Sequence, residues 1–161
     1  MGLDTIRTGL YYSPMNEPPF VALAEILGSL HAVETRLEAA LEPTGLSLAK
    51  FKALHTLVAA GEPLPLRTLA EHCACVRSNI TQLVDRLEAE KLVVRAGDPD
   101  DRRSIRAELT AEGRARYKAG FRALQTAEND VLGQIPKGQR DLLVEMLRSL
   151  RAGAGVEEPA R

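Results

Sequence analysis

Between Arg77 and Arg86 the chain places Ser78, Asn79, Thr81 and Gln82, so hydroxyl, amide and guanidinium groups crowd one short stretch. At about 100° per residue, a helix here gathers Ile80, Leu83, Val84 and Leu87 on one face. The opposite face then carries Ser78, Gln82, Asp85 and Ala89, flanked by Asn79, Thr81 and Arg86. Such side chains can exchange hydrogen bonds with base edges and grip phosphates in a major groove. A second grouping precedes it. His72-Cys73-Ala74-Cys75 offers an imidazole and two thiols, which could bind a soft metal or undergo oxidation. Cys73, however, falls on an apolar helix face, and Cys75 stands where an apolar turn residue is expected. Cysteine is among the most commonly buried residues. Packing is therefore the first reading, a redox role for Cys73 and Cys75 the second, and no metal or cofactor is assigned.

The elements that would position these groups follow from spacing. Leu66, Leu69, Ala70 and Cys73 recur at i, i+3, i+4 and i+7, predicting a helix over 66–73. Cys73-Ala74-Cys75-Val76 is long enough only for a turn, and the helix through Ile80 and Leu87 ends near Lys91. Two helices joined by a three- or four-residue turn form a helix-turn-helix. Leu92-Val93-Val94-Arg95 is β-prone, and Ser104-Ile105-Arg106-Ala107-Glu108-Leu109 alternates as a half-buried strand does. Between them, Gly97, Asp98, Pro99, Asp100 and Asp101 turn the chain and lead to Arg102 and Arg103. A hairpin tip with two adjacent arginines beside a reading helix is a wing, and arginine suits a narrow A·T minor groove.

Leu83-Val84-Asp85-Arg86-Leu87-Glu88, Lys91-Leu92-Val93, Asp98-Pro99-Asp100-Asp101-Arg102-Arg103-Ser104 and Leu109-Thr110-Ala111-Glu112-Gly113 together resemble the MarR family of bacterial transcriptional regulators. The order of elements matches over roughly Pro18 to Arg151. The resemblance implies a homodimeric winged-helix protein that binds pseudo-palindromic operators and is released by a ligand or by oxidation. It implies DNA contacts from Arg77, Ser78, Asn79, Thr81, Gln82, Arg86, Arg102, Arg103 and Ser104, with Asp85 and Asp101 bracing a wing arginine. A carboxylate at Asp85 would repel phosphates unless such a partner held it. Arg86 has two readings, a phosphate grip or a pair with Glu90 one turn on. The family's usual effector cleft, carried over, draws on His31, Arg36, Phe51 and His55 and would take a small aromatic ligand; Phe51 and His55 read equally well as core residues. Val76 departs from the family, which often has Ser or Thr there, so the first free amide of the reading helix needs another acceptor, with Ser78 the candidate.

The rest of the chain frames this unit. Residues 1–17 show no sustained period and read as an arm. A first helix starts after Pro18-Pro19 and runs to about Glu42, with Phe20, Leu23, Leu27, Leu30, Leu37 and Leu41 on a nearly heptad seam. Ser47 caps a second helix through Ala60, and Gly61-Glu62-Pro63-Leu64-Pro65 reads as a loop. Thr110 caps a long helix with Tyr117, Phe121, Leu124, Val131 and Ile135 as its apolar stripe. Pro136 interrupts it, a last helix carries Leu142, Leu143, Met146, Leu147 and Leu150, and 152–161 reads as a flexible tail. The expected fold is mainly α with a small β-hairpin wing: a single domain over 18–151, in which a winged helix-turn-helix over 47–109 lies between dimerisation helices at 18–42 and 110–151. Mutual packing of the terminal helices across a two-fold axis would set two reading heads about one DNA turn apart.

Bulk properties bound the partners. With 161 residues, 27% charged and 45% hydrophobic, the chain can bury a real core. Its net charge of −1 is not that of a bulk polyanion binder. From Lys91 to Arg106 five basic residues (Lys91, Arg95, Arg102, Arg103, Arg106) oppose three acidic ones (Asp98, Asp100, Asp101). Duplex DNA is the expected partner, through specific contacts rather than bulk charge, together with a second copy of the chain. No apolar run is long enough to span a membrane, no leader pattern is present, and two closely spaced cysteines make no disulfide framework, so a cytoplasmic location is expected. Phosphate-cradling loops, HExxH and nucleophile-elbow patterns are absent, and no enzymatic activity is expected. The reading from a different class is a winged-helix module for protein assembly that does not read DNA.

Overall fold

The computed structural model describes residues 20–73, 77–97 and 104–155. It divides into two compact units, Met1–Ala32 and Val33–Arg161. The division falls inside the first helix, α1 (Val21–Leu41), whereas the sequence treats 18–151 as one domain. In the first unit, Ala24 N–H bonds the Phe20 carbonyl at 2.9 Å to open α1. Phe20 itself has φ 82°, a backbone that bulky residues rarely adopt, so this seam residue stands just before the helix instead of within it. Leu23, Leu27 and Leu30 are all more than half exposed.

The second unit holds the core. A 3-10 turn (Glu42–Thr44) ends at Gly45 with φ 71°, and α2 (Leu48–Ala60) follows. Ser47 caps α2 by accepting from Lys50 N–H at 3.3 Å, and Glu38 accepts from Leu48 N–H at 3.0 Å. The helix-turn-helix pair is α3 (Leu66–His72) and α4 (Arg77–Ala89). Leu41, Leu54, Leu69, Ile80, Val84, Leu87, Leu92 and Val93 are fully buried and pack as one cluster.

The sheet has three strands in the order β1-β3-β2: β1 (Leu64–Pro65), β2 (Val93–Gly97) and β3 (Ile105–Leu109). The stretch that reads as a loop before α3 therefore contains a short strand, with Leu64 opposite Ala107 and Pro65 opposite Arg106. Two residues show no alternation, and Pro65 has no N–H to donate, which confines this piece to a sheet edge. The wing strands pair antiparallel from Val93↔Leu109 to Gly97↔Ile105.

At the end of α4, Leu92 N–H bonds the Leu87 carbonyl at 2.8 Å and Lys91 N–H bonds Glu88 at 2.9 Å. This is the Schellman arrangement, with Lys91 at φ 61° in the left-handed position usually given to glycine. The next carbonyl seats the long helix α5 (Ala111–Leu132). Leu92 O accepts from Thr110 N–H at 3.1 Å, and the Thr110 hydroxyl donates to the Lys91 carbonyl at 2.7 Å, with Leu92 O also within 3.1 Å. Thr110 in turn caps Gly113 N–H at 2.9 Å. A Cβ on Gly113 would stand 2.0 Å from Leu92 O, so only glycine fits.

Further along α5 the buried positions are Gly113, Gly120 and Ala127, seven residues apart. The aromatic stripe expected from sequence is shallower: Tyr117 and Leu124 are half-buried, and Phe121 is exposed. Small residues let α5 approach closely, and a Cβ at Gly120 would lie 3.0–3.2 Å from Leu46, Phe51 and Leu41. Pattern reading favours large side chains and so misses a seam built from missing ones. Arg140 of α6 (Lys137–Gly153) reaches back to the Ile135 and Leu132 carbonyls at 3.1 and 2.9 Å, capping the end of α5. α6 extends two residues into the stretch read as tail and buries none of its residues, leaving Leu142, Met146, Leu147 and Leu150 exposed. Among the described residues, no helix is long and apolar enough to cross a membrane.

Two stability predictions follow from the α4–α5 junction. Gly113→Ala should lower the unfolding free energy by about 3 kcal/mol, the upper end of overpacking costs. Lys91→Gly should raise it by up to about 1 kcal/mol by relieving the left-handed backbone. Urea denaturation measures both.

Candidate nucleic-acid interface

α4 buries Ile80, Val84 and Leu87 completely and leaves Leu83 half-buried. That anchoring turns Ser78, Asn79, Thr81, Gln82, Asp85 and Arg86 outward, and all six are exposed. Arg77 opens the helix. Ser78 Oγ donates to Asn79 Oδ1 at 3.4 Å. Val76, whose departure from the family makes Ser78 the candidate cap, lies outside the described residues. Glu90, the alternative partner for Arg86, pairs with Lys50 at 2.5 Å instead. Among the described residues nothing pairs with Arg86. Ser104 is half-buried just before β3. Asp101, Arg102 and Arg103 lie outside the described residues, as does Cys75.

The partner of Asp85 is Arg95 on β2, at 2.5 Å. The same guanidinium takes Glu88 at 3.0 Å through its other terminal nitrogen and the Thr81 carbonyl at 3.4 Å, while Arg95 N–H bonds Glu88 at 3.2 Å. One three-quarters-buried arginine thus ties the first wing strand to three residues of α4 and pairs with two carboxylates there, offsetting one of their two charges. By sequence Arg95 counted toward the basic patch. The structure removes it from that count, because its charge is already matched. The signal lay in Asp85 and Glu88, which share a helix face at i, i+3. Lys50 and Lys52, which also touch the helix-turn-helix, carried no pattern of their own.

Of the residues proposed to line an effector cleft, Arg36 and His55 address different points on α5. Arg36 pairs with Asp130 at 2.7 Å. His55 Nδ1 meets Tyr117 Oη at 3.0 Å. Thirteen residues of α5 separate Asp130 from Tyr117, about 20 Å of helix. His31 belongs to the other compact unit. Phe51 and His55 do come together, in an aromatic group that the sequence did not foresee. Phe51 stacks on Tyr117 at 5.4 Å and on His55 at 6.1 Å, and Tyr117 meets Phe121 at 5.9 Å. Burial pushes the Tyr117 hydroxyl above its ordinary pKa of 10.0. Two open grooves of about 520 and 450 Å³ lie elsewhere, one along α5 at Arg122 to Asn129 and one at Glu38 to Ser47.

Cys73 is buried, its Sγ 4.0 Å from Thr56 Oγ1, and its carbonyl accepts from Lys52 Nζ at 2.9 Å. Among the described residues no group of His, Cys, Asp and Glu is placed to hold a metal ion.

A family model described as the MarR family matches residues 44–104. The chain is 31% identical over 114 residues to the HTH-type transcriptional repressor Mb2911 of Mycobacterium bovis, covering 71% of this chain and 81% of that one. It is 33% identical over 107 residues to the HTH-type transcriptional repressor YetL of Bacillus subtilis, covering 66% of this chain but only 64% of that relative's length. A MarR-family regulator from Rhodococcus sp. RHA1 superposes with TM-score 0.73 at 26% identity, over 84% of this chain and 96% of that one. Two more distant structures share the fold. A mutant MarR from E. coli complexed with operator DNA gives TM-score 0.75 at 19% identity, over 83% and 99% of the two chains. An organohalide-sensing regulator bound to 2,4-dichlorophenol gives 0.78 at 20% identity, over 94% and 89%.

Arg95→Met should lower stability by about 1–2 kcal/mol, because it strands two carboxylates while keeping the aliphatic stem. Adding Asp85→Asn and Glu88→Gln should recover part of that loss in the same urea titration. For Tyr117, the folded pKa lies above the unfolded one, so its contribution to stability is complete below pH 10 and falls as pH rises further. The difference in phenolate absorbance between the native chain and Tyr117→Phe should therefore show a midpoint above 10.0.

Proposed function

We propose that this chain, which belongs to the MarR family of transcriptional regulators, acts as a homodimeric, sequence-specific repressor on a pseudo-palindromic operator. One observation carries the proposal: α4 presents an outward face of Ser78, Asn79, Thr81, Gln82 and Arg86 whose carboxylate, Asp85, is held by Arg95. A helix so arranged offers donors and acceptors to base edges without opposing the phosphates. Arg77 and Ser104 join it, and Arg102 and Arg103 supply the wing contact, one of them in the minor groove. The repressor role is supported by the chain's similarity to two transcriptional repressors.

Dimerisation has separate support. Leu23, Leu27 and Leu30 of α1 and Leu142, Met146, Leu147 and Leu150 of α6 stay exposed, which is more apolar surface than isolated helices leave open to water. A second copy of the chain is the occupant that also gives the two-fold symmetry of a palindrome. For the effector, the group of Phe51, His55, Tyr117 and Phe121 favours a small aromatic ligand that can stack on it and bond the His55–Tyr117 pair. Oxidation at Cys73 and Cys75 is the alternative trigger; the burial of Cys73 speaks for a packing role in the reduced protein.

The test is selection from a randomised duplex pool, with the mass of the protein and of the complex measured in solution. A dimer that enriches an inverted repeat, with affinity falling steeply as salt rises, is the expected result. On the recovered site, Arg86→Ala should weaken binding and lower the salt slope by about one, as loss of one phosphate contact requires. Arg103→Ala should weaken it by roughly tenfold, within the range of one lost groove contact. A dimer that retains no preferred sequence would overturn the proposal.

A further inference from the structure

α2 makes two polar contacts with the helix-turn-helix, one just past the end of α4 and one at the end of α3. Lys50 Nζ reaches the Glu90 carboxylate at 2.5 Å, one residue past the end of α4. Lys52 Nζ donates to the carbonyl of Cys73 at 2.9 Å, the residue that closes α3 before the turn into α4. Two residues apart on a helix, the two lysines leave α2 about 200° apart. They therefore leave α2 on nearly opposite sides, one toward Glu90 and the other toward the end of α3. The Lys50 side chain is only 17% exposed, which withholds its ammonium from any phosphate. An ammonium on a terminal helix carbonyl is favoured both by the charge-assisted bond and by the dipole at that end. Between the lysines, Phe51 turns to α5, where it stacks on Tyr117 with His55 one turn further on.

We propose that Lys50 and Lys52 are positioning residues of the reading helix. From α2, Lys50 holds the end of α4 and Lys52 the end of α3 that leads into it, so both couple α4 to the position of α2 against the aromatic group on α5 instead of serving as phosphate contacts. This rests on α4 being the helix that reads DNA. A lysine that only neutralised phosphates would act equally on all sequences and would contribute to the salt dependence. A positioning lysine affects base readout and leaves the salt dependence unchanged.

The experiment measures affinity for the selected duplex and for a scrambled one across a salt series, with melting temperature followed for each variant. Lys50→Glu and Glu90→Lys should each cut the specific-to-scrambled ratio by roughly three- to thirtyfold, the range for residues acting through others. Their salt slopes should stay unchanged, and the Lys50→Glu/Glu90→Lys double variant should recover the ratio to within about threefold, because it restores the pair with its charges exchanged. Lys52→Met should lower the ratio in the same way, and Lys52→Arg, which keeps a donor for the Cys73 carbonyl, should preserve most of it. A fall in salt slope by about one with the ratio intact would make these lysines phosphate contacts and overturn the inference. So would an unchanged ratio in the single variants, or a double variant as poor as the two single losses summed. If the unaltered protein enriches no sequence at all, the reading of α4 falls first and this inference with it; a selective parent with indifferent lysine variants sinks the inference alone.

Discussion

The carbonyl oxygen of Leu92 is the point on which the structure turns. The Leu92 side chain is fully buried, its N–H closes the end of α4, and its carbonyl accepts the Thr110 N–H where α5 begins, while the Thr110 hydroxyl donates to the neighbouring Lys91 carbonyl. The space beside that oxygen is filled by the Cα of Gly113, with no room for a side chain. Three elements therefore meet at one residue: the reading helix ends there, the first wing strand starts there, and the long helix is seated on it. The Leu109-Thr110-Ala111-Glu112-Gly113 run owes its composition to this contact. Leu109 closes β3, Thr110 caps, and Gly113 yields space.

Charge is organised around the same helix. α4 carries Asp85 and Glu88, which on their own would repel a polyanion, and Arg95 from β2 pairs with both, offsetting one of their two charges while joining the wing to the helix. Lys50 draws away Glu90, leaving Arg86 without an acid among the described residues. The exposed face is thus left with hydroxyls, amides and a guanidinium, although the chain as a whole is slightly acidic. Both cations that create this condition, Arg95 and Lys50, are mostly buried, and Arg95 meets the exposed face at Asp85.

Periodicity made the helices legible, since Ile80, Val84 and Leu87 or Leu54 and Leu57 must be buried wherever their helices lie. Caps at Ser47 and Thr110 were equally plain, because a short hydroxyl ahead of an apolar run has one common use. β1 escaped because two residues cannot show alternation. The close seam of α5 escaped because Gly120 and Ala127 contribute by being small, and hydrophobic patterning scores only what is present. Among site residues, the outward direction of Ser78 to Arg86 followed from the helix period. The partner of Asp85 did not, since an arginine ten residues away is placed by strand register and not by local spacing. Arg36 and His55 were grouped by analogy, and they address points on α5 about 20 Å apart. Tyr117 was visible only as one member of a helical stripe.

A joint made from a carbonyl oxygen against an α-carbon has no rotamers to populate and no room for water. Motion across it is confined to displacement of whole elements, with the helix ends intact on both sides. Rearrangement of α4 relative to α5 about that point keeps the buried apolar area nearly constant, and the heat capacity of the chain follows that area. The calorimetric mark of such a hinge is a small heat-capacity difference between its positions, unlike the large one that accompanies local unfolding. Gly113 thus holds the start of α5 in direct backbone contact with the residue that follows α4.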